Sequence, residues 1–138
     1  MKFSLNYLSR FDFIGVLLLR LGTGSLIAYY GFPRFIGGPD VWKDTGEAMS
    51  LVGVESLHLF FGLASLMAQS FGGLLIIVGL FTRGIAAVLT IVMGFAVANA
   101  LVAGDSVPHI LVMTQLGLAF LALILIGPGR LSLDRRGI

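Results

Sequence analysis

Four stretches of this chain, near 13–33, 57–81, 84–103 and 109–127, are long, apolar and almost free of charge. A hydrocarbon layer about 30 Å thick is crossed by roughly 20 apolar residues in an α-helix. Inside that layer each backbone N–H and C=O needs a partner within the protein, which a helix supplies from its own turns. The stretches lack the period-two alternation of membrane strands. The expected fold is therefore all-α: a transmembrane four-helix bundle, built as one membrane domain over residues 1–138. Composition points the same way, since only 12% of the residues are charged, about half the share usual in a soluble domain.

Punctuation sets the span limits. Pro108 stands at the entrance of the fourth stretch and Gly127-Pro128-Gly129 closes it. The second and third stretches are joined only by the few residues around Thr82-Arg83-Gly84, which makes them a tight hairpin. The first stretch is too long for a signal peptide, contains Arg20 and lacks a small-x-small cleavage site, so it is expected to be retained. With both termini inside, the inner loops hold Lys2, Arg10, Arg83, Arg130, Arg135 and Arg136, and the outer ones only Arg34 and Lys43. That asymmetry predicts a multi-pass protein of the plasma (inner) membrane with cytoplasmic N- and C-termini. The same placement of basic residues makes the lipid bilayer the expected partner and argues against nucleic acid. Homo-oligomers are compatible with such a bundle. The chain has no cysteine, which excludes disulfides, thiolate metal sites and covalent c-type haem.

Polar residues within the spans carry the functional information. In the second span Glu55, His58, Gly62, Ser65, Gln69 and Gly72 recur at steps of three and four, which puts them on one helix face. An amide left alone in hydrocarbon is costly, so this stripe is expected to face the bundle interior, with Gln69 near mid-depth. Arg20, Thr23, Ile27, Tyr30 and Arg34 repeat the pattern in the first span. Arg20 lies about 10 Å above the start of its helix. It either snorkels to the headgroups or turns inward to a hydrogen-bonding partner such as Gln69 or Gln115. Small residues at i, i+4 (Gly24/Ala28, Ala64/Ala68, Gly94/Ala98) are expected at close helix contacts.

The long loop after the first span contains Pro39-Asp40, a helix-start signal, followed by Val41, Trp42, Met49 and Val52. It predicts a short interfacial helix, either anchored by Trp42 or lying as a lid over a site. Tyr29, Tyr30, Glu55, His58, Asn99, Asp105 and His109 gather towards the same side. Glu55 and His58 form a lone Glu-x-x-His pair. Carboxylate-bridged metal sites in bundles use that spacing but need several carboxylates, so no metal is expected and these two are weak candidates.

Taken in order, "LLLRLGTGSLIAYYGFPRFIGGPDVW", "FGGLLIIVGLFTRGIAA" and "GPGRLSLD" resemble the DoxX family of small four-helix membrane proteins. The family pattern falls on Arg20, Tyr30, Gly31, Arg34, Gly72, Gly73, Gly79, Leu80, Arg83, Ser132, Leu133 and Asp134. One departure matters, because Gln69 stands where the resemblance implies a glutamate. An amide can hydrogen-bond a carbonyl or a hydroxyl but takes up no proton at physiological pH.

One reading that the resemblance implies is a quinone-associated redox subunit of a prokaryotic plasma membrane, with quinone as a candidate cofactor and electrons delivered by another subunit or a soluble partner. Arg20, Gln69 and Gln115 are then the candidates for the quinone head. A second reading is a bundle that carries or shelters a small hydrophobic molecule and opens at Tyr30, His58 and His109. A third is a membrane scaffold whose stripe only fixes helix packing. Whether the protein is an enzyme stays open among these readings.

Overall fold

The computed structural model describes residues 5–53 and 56–136. Five α-helices follow one another: α1 (Asp12–Ile36), α2 (Pro39–Gly46), α3 (His58–Val78), α4 (Thr82–Ala103) and α5 (Val107–Ile126). Short 3-10 turns occupy Leu5–Phe11, Glu47–Val52 and Leu133–Arg136. Among the described residues, four segments are long and apolar enough to cross a membrane: Tyr7–Ile36, His58–Val78, Thr82–Ala103 and Val107–Ile126. The four spans and the short helix between the first two thus stand as the sequence indicates. The first span is longer than expected. Its helical turns begin before residue 13, and α1 runs past Pro33, whose missing N–H removes one i→i−4 bond close to the end of the helix.

The long helices alternate in direction, so α1 begins where α5 ends; this is called the terminal end, and the side carrying α2 the loop end. The helices pack in the order α1, α3, α4, α5, with α2 laid on α3. Ile27, Ile76, Ala86, Leu89, Met93, Phe120 and Leu123 form the buried core, drawn from all four spans. Pro39 occupies the first turn of α2, and a proline also opens α5, where no intrahelical N–H is needed.

Close backbone approach fixes two contacts. At the α1–α3 crossing, a Cβ on Gly24 would fall 2.6 Å from the Gly73 carbonyl oxygen, and one on Gly73 2.7 Å from the Gly24 oxygen. Gly24/Ala28 is therefore a packing pair, as its spacing suggests. At the α2–α3 contact, a Cβ on Gly46 would strike the His58 carbonyl, and one on Gly62 the Trp42 carbonyl. Trp42 also ties α2 to α1: its indole N–H donates to the Phe35 carbonyl at 2.8 Å and its ring stacks on Phe35. Gly94 behaves differently from its i, i+4 pattern, since a Cβ there meets open space.

This contrast is testable by thermal unfolding in detergent. Gly62→Ala should destabilise the bundle by about 1–3 kcal/mol through overpacking against backbone. Gly94→Ala should be neutral or stabilise by up to about 1 kcal/mol, because alanine is the better helix former.

Candidate functional site

Two polar constellations lie inside the bundle, one at each end. At the terminal end the guanidinium of Arg20 is 1% exposed. Its Nε donates to the Ile76 carbonyl at 3.1 Å and Nη2 to the Ile77 carbonyl at 2.8 Å. Its Nη1 donates to the carbonyls of Pro128 at 3.0 Å and Leu131 at 2.7 Å. Ile76 and Ile77 lie in the last turn of α3, where carbonyls have no intrahelical donor. Leu75, one residue earlier, is served by the N–H groups of Gly79 and Leu80. Arg20 is thus a side-chain cap on the C-terminus of α3, its positive charge set against the negative end of the helix dipole. It turns inward, but to backbone carbonyls rather than to Gln69 or Gln115.

Gly79 makes room for this. It has φ +82°, and a Cβ there would lie 2.6 Å from Arg20 Nη2 and 2.5 Å from Ser132 Cβ. The segment after α5 locks the same corner. Asp134 Oδ1 accepts from the Phe81 N–H at 2.7 Å and Oδ2 from the Thr82 N–H at 2.8 Å, capping the N-terminus of α4. Phe81 sits at φ 52°, a strained position for a phenylalanine, so the carboxylate holds an unfavourable turn in place. Partial desolvation opposes ionisation of Asp134. The two N–H bonds, with Arg20 nearby, outweigh it and hold the carboxyl below its ordinary value of 3.8.

At the loop end α3 and α4 part and leave a cavity of about 390 Å³. Ala64, Ser65, Ala68 and Gln69 of α3 face Val88, Ile91, Val92, Phe95 and Ala96 of α4 across it. Asp44, Thr45 and Gly46 at the end of α2, with Ala48 and Met49 in the turn after it, supply part of the wall, as do Tyr30, Asn99, Asp105, His109 and Met113. The last residues of the short helix thus line the cavity as well as packing on α3. At the mouth, Arg34 Cζ lies 5.4 Å from the Tyr30 ring centroid, and Arg34 Nη2 donates to Thr45 Oγ1 at 2.9 Å. The Tyr30 and His109 rings are 6.3 Å apart, and His109 Nε2 is 3.8 Å from Asp105 Oδ2.

Gln69 lies about 16 Å along α3 from its start at His58. It is 2% exposed, lines the cavity, and its Oε1 has no hydrogen-bond partner among the described residues. Ser70 Oγ and Thr82 Oγ1 are buried and unpaired in the same way, but of the three residues only Gln69 lines the cavity, where its unmet acceptor lies nearest to a space that can hold a ligand.

The sequence-derived candidates therefore divide. Gln69, Tyr30 and His109 come together on the cavity. Arg20 belongs to the clasp at the opposite end, and Gln115 lies exposed on the outer face of α5. His58, at the start of α3, packs beside α2 and is not on the cavity wall, while Glu55 lies outside the described residues. Sequence reasoning missed Asp44 and Thr45, which the α2 turn carries to the mouth. It also missed the capping role of Asp134. A carboxylate after Gly-Pro-Gly signalled a fold-back, but its target is not local.

Four helices long and apolar enough to span a bilayer define a multi-pass membrane protein. Within that class, the family model for DoxX matches residues 15–103, more than half of the chain, and the chain belongs to the DoxX family. The match ends before α5 and before the closing 127–134 segment. Comparison with curated proteins and with solved structures gave no match.

The clasp yields two expectations. Arg20→Met should cost about 3 kcal/mol or more by orphaning buried carbonyls. Arg20→Lys should not restore it, since a single ammonium cannot span four carbonyls drawn from two segments. Because the folded-state pKa of Asp134 is depressed, its contribution is fully present above pH 3.8 and is lost as pH falls through the lower native value. Stability measured against pH in detergent should show that acid-side loss in the wild type, and Asp134→Asn should lack it.

Proposed function

We propose that the cavity binds a small apolar molecule carrying a hydrogen-bonding head, with the quinone/quinol class fitting best, and that Gln69 holds the head. The observation that carries this reading is Gln69, a buried amide whose Oε1 is unpartnered among the described residues, on a cavity wall that is otherwise mostly apolar. As an acceptor it suits a quinol hydroxyl, and turned over the same amide offers an N–H to a quinone carbonyl. The volume, about 390 Å³, lies within the range of roughly 300–1,000 Å³ typical of small-molecule sites.

Tyr30 and His109 serve the outer part of the ligand. Arg20, with its donors already engaged, and Gln115, on the outer face, take no part. In the redox form of this reading a partner subunit exchanges electrons with the bound quinone in a prokaryotic plasma membrane. The basic residues of the terminal end then face the cytoplasm. In the carrier form the α2 segment gates release. A pure scaffold is disfavoured, because a packing role for Gln69 leaves its acceptor unpaired at a cost that leucine would avoid.

Extraction in native-lipid discs tests this, with quinone and quinol quantified per protomer for wild type and Gln69→Leu. About one molecule per wild-type protomer and a loss of about fivefold or more in the variant is the expected result. Bulk-lipid levels in both would remove the quinone reading, and a stoichiometric amount unchanged in Gln69→Leu would remove Gln69 from the site.

A further inference from the structure

Gln115 poses a separate problem on the opposite side of α5. It lies about 12 Å along this 20-residue helix, near the middle of the span. Its side chain is exposed on the outer face and makes no hydrogen bond to the described residues. The neighbouring Thr114 is also exposed, yet its hydroxyl folds back on the Ile110 carbonyl at 2.8 Å. Thr23 and Thr90 do the same on α1 and α4, at 2.7 Å each. The amide of Gln115 is thus left in hydrocarbon with both donors and its acceptor unmet, which membrane helices rarely tolerate.

The residues around it form a seam. Leu111, Gln115, Leu118, Ala122 and Leu125 recur at steps of four, three, four and three. Leu111, Leu118 and Leu125 are 61%, 56% and 78% exposed. That is the spacing of a left-handed helix pair, and a single polar residue at such a seam fixes register and number of strands.

We infer that α5 is a homodimer interface in which the seams of two copies pack in parallel and the two Gln115 amides hydrogen-bond to each other. Two features favour a second copy as occupant. A carboxamide is its own complement, one N–H and one C=O on each side. A two-fold axis along the membrane normal also brings equivalent residues to the same depth automatically, whereas an unrelated helix has to present a matching group at that depth. The seam lies away from the cavity, so pairing leaves the proposed ligand site open.

The absence of cysteine permits a clean test by single-cysteine cross-linking in native membranes, with two differently tagged copies co-expressed. Leu118→Cys should give an oxidised product of twice the chain mass carrying both tags. Leu26→Cys, 58% exposed on α1, should stay monomeric. Adding Gln115→Leu to Leu118→Cys should lower the dimer yield about threefold or more. A leucine at a lipid-facing position leaves the fold intact, which elution as a single species in detergent verifies. Monomer alone, a product with another protein, equal cross-linking at Leu26→Cys, or a yield indifferent to Gln115→Leu would each overturn the proposal.

Discussion

The buried guanidinium of Arg20 ties together three parts of the chain at the terminal end. Through four backbone carbonyls it joins α1 to the end of α3 and to the segment after α5. A charge in this setting is tolerable only because its donors are met and because it faces carbonyls that carry partial negative charge at a helix end. A glutamate or aspartate partner inside the span is unnecessary. The carboxylate that does take part, Asp134, works at one remove by capping α4 and closing the same corner.

That clasp explains where the cavity lies. With α3 and α4 joined by a short turn and locked at the terminal end, they pack closely there, Gly72 lying against Ile85 and Leu89. Away from the turn the two helices are free to part, and α2 with its following turn fills the space above them. The loop end thus holds a volume bounded by largely apolar walls, a polar mouth and two amides, Gln69 and Asn99, and the terminal end supplies the rigidity. Stability and binding chemistry are divided between opposite ends of the same helices.

Much of this was legible in the sequence. Span length and apolarity placed the helices because hydrocarbon thickness and backbone hydrogen bonding leave few alternatives. The three-four spacing put Arg20, Thr23 and Ile27 on the inner face of α1, and Gly62 and Gln69 on the inner face of α3, where each is buried. Periodicity assigns a face, however, and not a neighbour. It could not say that Arg20 would find backbone carbonyls, since a carbonyl left open at a helix end carries no side-chain signature. For the same reason Ala64 and Ala68, spaced like a helix contact, turned out to border the cavity. Gln115 was polar in the same way as Gln69, and only its angular position on α5 separates an inward amide from an outward one.

The sequence by itself determined the solvent of this protein, the number of its spans, its short loop helix and the inner faces of its first two spans. These follow from local quantities: hydrophobic length, helical period and the conformational preferences of proline and glycine. Tertiary structure decided which ends are tied, where helices separate and which of two similar glutamines faces a cavity. Those outcomes depend on the order of helices around the bundle and on backbone atoms far apart in the chain, such as Arg20 against Leu131. No local pattern encodes them, because each is settled only when the helices pack together.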